Sequence, residues 1–140
     1  MPTRASELRS PRWTVSPSPA LPLSRPHDDA KIRAAESYIQ KNYARDIAIE
    51  DLARDLGMSP RNFIRRFKSS TGRLPGNYVQ ALRVAIAKEM LEDGARSLQA
   101  VSLAVGYEDA AFFREVFKRC TGMTPGEYRE NFAGIGRAPP

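Results

Sequence analysis

Two stretches of this 140-residue chain carry the same residues in the same order. The first runs Ile49, Leu52, Leu56-Gly57, Phe63, Phe67-Lys68, Thr71-Gly72, Pro75-Gly76, Tyr78; the second runs Leu98, Val101, Val105-Gly106, Phe113, Phe117-Lys118, Thr121-Gly122, Pro125-Gly126, Tyr128. From Phe63 to Tyr78 each position recurs 50 residues later, and from Ile49 to Gly57 it recurs 49 residues later, so the second copy holds one extra residue in its turn. Self-similarity of this kind marks a duplicated supersecondary unit. Each copy reads as a short amphipathic helix, a glycine corner and a second helix that crosses the first, which is the grammar of a helix-turn-helix. The glycine supplies the positive φ such a corner requires. Phe63 and Phe67, and likewise Phe113 and Phe117, stand at i, i+4, so each pair forms one inward stripe.

Apolar residues recur at helical spacing from 28 to about 132 with no period-2 stretch, which predicts an all-α fold of seven helices. The first covers about 28–43, with Ile32, Ala35, Tyr38, Ile39 and Tyr43 inward and Asp28 and Asp29 at its positive end. The second covers about 49–56, behind the poor cap Ala48. Ser59-Pro60 opens a third helix that Gly72 stops. A long helix follows from about Pro75 to Asp93, then a short one capped by Ser97, then another from about Asp109 to Thr121. The capping box Thr124-Pro125-Gly126-Glu127 opens the last, which ends near Asn131. The long helix lies between the repeats, and about 18 residues at ~1.5 Å each give it ~27 Å.

Outside this pattern, residues 1–27 are rich in Pro and Ser and are expected to be a disordered tail or linker remnant. A transit peptide or a proline-motif ligand (Pro19-Ala20-Leu21-Pro22) are weaker readings of the same segment. Residues 133–140 form a short tail. Twenty-two Lys and Arg against 16 Asp and Glu give +6, which calls for an anionic partner without choosing nucleic acid over membrane. A single cysteine, Cys120, cannot close an intrachain disulfide, so a reduced, cytoplasmic chain is expected, with Cys120 a small core residue. One His, His27, and one Cys leave no ligand set for zinc. No apolar run reaches the roughly 20 residues of a membrane span. With no Gly-rich phosphate loop, carboxylate cluster or His beside Cys120, neither an enzyme nor a cofactor is expected.

The exposed faces carry the function. Arg61, Ile64, Arg65 and Lys68 follow i, i+3, i+4, i+7 beside the buried phenylalanines. From 59 to 73 there are five basic residues and no acid, whereas the helix before carries Glu50, Asp51 and Asp55. Residues 28–132 net only +2, so charge is sorted by element. A positive helix on a helix-turn-helix suits the major groove, where Arg pairs bidentately with guanine O6 and N7. Arg66, Lys68 and Arg73 fit phosphates, which position a protein without reading sequence. The repeat carries the second face to Ala111, Arg114, Glu115 and Lys118, with Ala110 beside them. Alanines there can meet thymine methyls and Glu115 can accept from cytosine N4. A face that mainly supports the fold and touches backbone is the competing reading.

These residues resemble a known family. The string from Leu52 to Lys68 is similar to the first helix-turn-helix of AraC/XylS-family transcriptional regulators, and Val105 to Lys118 resembles the family's signature region, closed by Gly122-Met123-Thr124-Pro125-Gly126-Glu127-Tyr128-Arg129. The resemblance implies a seven-helix, two-motif DNA-binding domain over 28–132 whose third and sixth helices enter the major groove. By matching positions it implies base contacts at Arg61, Ile64 and Arg65, then at Ala110, Ala111, Arg114 and Glu115. Ser59, Arg66, Lys68, Arg73, Lys118 and Arg119 are the expected phosphate contacts. Several relatives have a basic residue at the position of Glu115. The partner implied is double-stranded DNA, with RNA polymerase as a second contact for an activator. The opening at Asp28 and the Phe112-Phe113-Arg114 phrasing look most like the subgroup with a glutamine-amidotransferase-like N-terminal domain. On that reading residues 1–27 end an interdomain linker, and the effector or dimerisation domain lies outside this chain. The Cys cluster of the family's DNA-repair regulators is absent from the sequence. A helical adaptor for an acidic protein, or a DNA binder indifferent to sequence, are the alternatives.

Overall fold

The computed structural model describes residues 27–133, so the Pro/Ser-rich segment with its proline motif, and the tail beyond 133, lie outside the described residues. Seven helices follow one another: α1 (Ala30–Asn42), α2 (Ile49–Asp55), α3 (Pro60–Thr71), α4 (Pro75–Asp93), α5 (Leu98–Ala104), α6 (Ala110–Thr121) and α7 (Pro125–Phe132). No strand occurs among the described residues, and no helix is long and apolar enough to cross a membrane.

Local chemistry sets the helix ends. The side chains of Asp29, Ser59, Ser97 and Asp109 each accept from a backbone N–H of the helix they precede, satisfying donors that no carbonyl of that helix can reach. Ala48 makes no such bond before α2. Gly72 and Gly122, each at φ +86°, stop α3 and α6. The capping box forms in both directions: Glu127 N–H donates to Thr124 Oγ1 at 3.1 Å and Thr124 N–H donates to Glu127 Oε1 at 2.9 Å. The Thr124 backbone N–H first, and its hydroxyl second, hold the Glu127 carboxyl below its usual range. Thr124→Ala is expected to lower stability by about 1 kcal/mol, read as a shifted urea midpoint at unchanged slope.

The repeat is realised ring by ring. In the first unit Phe63 and Phe67 stand 5.6 Å apart, and Tyr78 meets Phe67 edge-on at 5.2 Å. In the second, Phe113 and Phe117 stand 5.8 Å apart, and Tyr128 meets Phe117 edge-on at 5.6 Å. Thr71 Oγ1 donates to Phe67 O at 2.8 Å, and Thr121 Oγ1 donates to Phe117 O at 2.9 Å, so the repeated threonines close the same helix end twice. α4 packs against α3 and against α5, α6 and α7, and it buries residues from Pro75 to Leu91. It is therefore both the connection and a shared wall of the core.

Three sequence expectations change, and the repeat shows one asymmetry. Tyr38 is not inward but 48% exposed. It lies about one and two-thirds turns beyond Ile32, which puts it off the buried stripe. Glu36 takes the buried place, accepting from Tyr78 Oη at 3.2 Å and lying 2.8 Å from His27 Nε2. Burial pushes the Tyr78 hydroxyl up to about 12, with the Glu36 carboxylate adding to the shift, so it remains a donor. His27 thus packs on α1 rather than belonging wholly to the leading segment. Cys120 is exposed on α6 and fills no core position. Leu98, the repeat counterpart of half-buried Ile49, is 37% exposed.

Candidate nucleic-acid interface

Both helix-turn-helix corners turn on a glycine with positive φ, +74° at Gly57 and +105° at Gly106. The same bond closes each: Met58 N–H donates to Ala53 O, and Tyr107 N–H donates to Ser102 O, both at 2.9 Å. The second corner has a further clasp, Ser102 Oγ donating to Tyr107 O at 2.8 Å. The corners differ in crowding. A Cβ at Gly57 would find only Lys31 Nζ, at 3.7 Å, whereas one at Gly106 would lie 2.8 Å from Ala44 O and 3.0 Å from Arg83 Cζ.

With the phenylalanines of α3 buried, Arg61, Ile64, Arg65 and Lys68 all reach the surface as one stripe, and Arg73 follows, exposed, beyond Gly72. Arg65 Nη2 donates to Asn62 Oδ1, so a neighbour on its own helix holds the guanidinium. Ser59 Oγ accepts from Asn62 N–H at 3.2 Å. Its hydroxyl retains a proton to donate outward. Arg66 is placed differently from the phosphate contact the sequence suggests. Its Nε and Nη2 donate to the two carboxylate oxygens of Asp29 at 3.1 and 2.8 Å, so it ties α3 to the cap of α1. Burial opposes ionisation of Asp29, but the Arg66 bonds and the Ile32 N–H hold its carboxyl below the ordinary value.

On α6 the residues Ala110, Ala111, Arg114, Glu115 and Lys118 are all exposed, as the repeat requires. Asp109 caps the helix through bonds to Ala111 and Phe112 N–H, which occupies one acid of the nearly neutral face. Arg119 Nη2 donates to Gln80 Oε1 at 2.9 Å, so this expected phosphate contact also braces α6 against α4. A shallow groove beside the face is lined by Leu98, Ala110, Ala111, Arg114 and Pro125. The first face is thus cationic, with the Arg65 guanidinium held by Asn62, and the second is small, apolar and mixed in charge.

Three features escape sequence reasoning: the Asn62–Arg65 bond, the Asp29–Arg66 tie and the buried Arg83. Two of them leave a signal: Asn62 and Arg65 stand at i, i+3 on one helix, and Arg83 sits at the inward phase of α4, four residues after Val79 and three before Ile86.

The family model described as "Helix-turn-helix domain" matches residues 52–131. The regulatory protein of the MmsAB operon from Pseudomonas aeruginosa is 30% identical over 112 residues, which is 79% of this chain and 36% of that protein. The HTH-type transcriptional regulator Rv1931c of Mycobacterium tuberculosis is 36% identical over 61% of this chain and 33% of its own length. This chain spans about a third of the length of these curated relatives. Among solved structures, the C-terminal domain of the response regulator AraT from Geobacillus stearothermophilus superposes with a TM-score of 0.72 at 27% identity, over 75% of this chain and 88% of that one. The DNA-binding domain of the global transcriptional factor AdpA, solved in complex with a target DNA, gives 0.69 at 28% identity over 73% of this chain and 92% of that one. Duplicated corners, a long shared helix and these matches together place the chain in the AraC-type helix-turn-helix family of transcription regulators.

Proposed function

We propose that this chain binds double-stranded DNA with sequence preference and is the DNA-reading part of a transcription regulator, α3 and α6 entering two successive major grooves. The observation that carries the reading is the exposed stripe of Arg61, Ile64, Arg65 and Lys68, in a segment from 59 to 73 that holds five cations and no acid. Its repeat-related counterpart stands on α6, at the other end of a 19-residue helix. At ~1.5 Å per residue that helix spans ~28 Å. The length is close to one duplex turn, about 34 Å, once the bodies of the two units are added.

Arg61, Ile64 and Arg65 read bases in one groove; Ala110, Ala111, Arg114 and Glu115 read them in the next. Ser59, Lys68, Arg73, Lys118 and Arg119 meet phosphates, while Arg66 supports α3 from behind. A single chain engages both grooves, so neither a dimer nor a palindromic site follows. Contact with RNA polymerase belongs to the same reading, as does a place in the cytoplasm with the DNA; no catalytic step and no cofactor is assigned.

Selection of duplexes from a random pool, followed by footprinting, tests this. The expected result is one preferred site protected in two patches about ten base pairs apart on one side of the duplex. Binding indifferent to sequence would replace the reading with a purely electrostatic one, and capture of an acidic protein that survives excess selected duplex would favour an adaptor. Lys68→Ala is expected to weaken all duplexes about equally and to reduce the slope of log affinity against log salt by about 1.

A further inference from the structure

Arg83 lies midway along α4 and is only 8% exposed. Its Nε donates to Tyr43 O at 2.6 Å and its Nη2 donates to Arg45 O at 2.9 Å, both in the turn where α1 gives way to the first helix-turn-helix unit. Its Cζ stands 4.8 Å from the centre of the Tyr107 ring, in the corner of the second unit. At that corner the loop approaches so closely that a Cβ on Gly106 would touch Ala44 O.

We propose that Arg83 is a positioning residue that fixes the spacing and mutual rotation of α3 and α6. α4 sets the separation of the two units, but long helices curve, so contacts at the side of the helix also set how the units are turned about its axis. A brace to the side of that helix removes the remaining freedom. Arg83 is such a brace. In its plane the guanidinium satisfies carbonyls at the C-terminal end of α1, where helical partners run out and positive charge is favoured. With its face it meets the aromatic ring of the other unit. Ammonium has neither the fork nor the flat face, so Arg83→Lys keeps the charge and removes the geometry.

The inference rests on the two-groove reading, and its test separates the two. Affinity is measured by fluorescence anisotropy at fixed salt on the duplex selected by the wild-type chain and on the same duplex with one base pair inserted between the half-sites. One base pair rotates the second half-site by ~34° and moves it by ~3.4 Å. The wild-type chain is expected to lose ~10-fold or more on insertion, as one helix forfeits a bidentate base contact. Arg83→Lys, checked for retained helicity, is expected to bind the original duplex ~10-fold more weakly, with an insertion penalty below ~3-fold, because its units can re-orient. A merely structural role would weaken both duplexes equally and leave the insertion penalty intact, and that result overturns the inference. If the lysine variant melts below the assay temperature, Tyr107→Leu decides on the same criterion, since it removes the ring and leaves both carbonyl bonds in place. A wild-type chain indifferent to the insertion overturns the two-groove reading itself.

Discussion

Gly106→Ala is expected to destabilise the domain by about 3 kcal/mol or more, against about 1–2 kcal/mol for Gly57→Ala, although the two glycines are equivalent in the repeat. Both occupy positive φ, so a Cβ is strained at each. At Gly57 that strain is the whole cost, because the nearest atom to the new methyl is the mobile end of Lys31 at 3.7 Å. At Gly106 the methyl would lie 2.8 Å from the backbone oxygen of Ala44, and relief requires moving the loop that Arg83 holds. Urea titrations of the two variants at a common temperature check the difference. Equal losses would mean that the loop yields freely and that the second corner is no better fastened than the first.

Arg65→Ala is expected to weaken binding to the selected duplex by about 1–3 kcal/mol and to relax preference at one base pair. Arg65 is exposed at the centre of the α3 stripe, and Asn62 orients its guanidinium. Orientation before contact reduces the rotamer entropy lost when a long side chain docks. Competition of the variant against duplexes altered one position at a time gives the answer. A uniform loss on every sequence would assign Arg65 to phosphate instead.

Much of this was legible without coordinates because it depends on short-range chemistry. Ser59-Pro60, Ser97 and the Thr124–Glu127 box set helix starts through bonds that span three residues, so their meaning survives in any context. The phenylalanine pairs at i, i+4 and the cationic stripe beside the first of them are equally local. Tyr38 and Glu36 show where this fails. Periodicity assigns an aromatic residue inward and a carboxylate outward, but Tyr78 and His27, from outside that helix, satisfy the carboxylate and reverse the assignment. The exposed Cys120 fails for a related reason, since composition alone describes a typical cysteine and not this face of α6.

The division between sequence and tertiary structure therefore follows the range of the interactions. The order of residues by itself determined seven helices, two copies of one corner, and one cationic and one mixed outward face, because each depends on neighbours within one or two helical turns. Only the tertiary structure decided that Arg66 serves Asp29 across 37 residues and that Arg83 reaches Tyr43 across 40. Basic side chains look alike in sequence. A guanidinium is free to meet an anion outside or bound to a partner inside according to which carbonyls and carboxylates the folded chain brings within hydrogen-bonding reach of it.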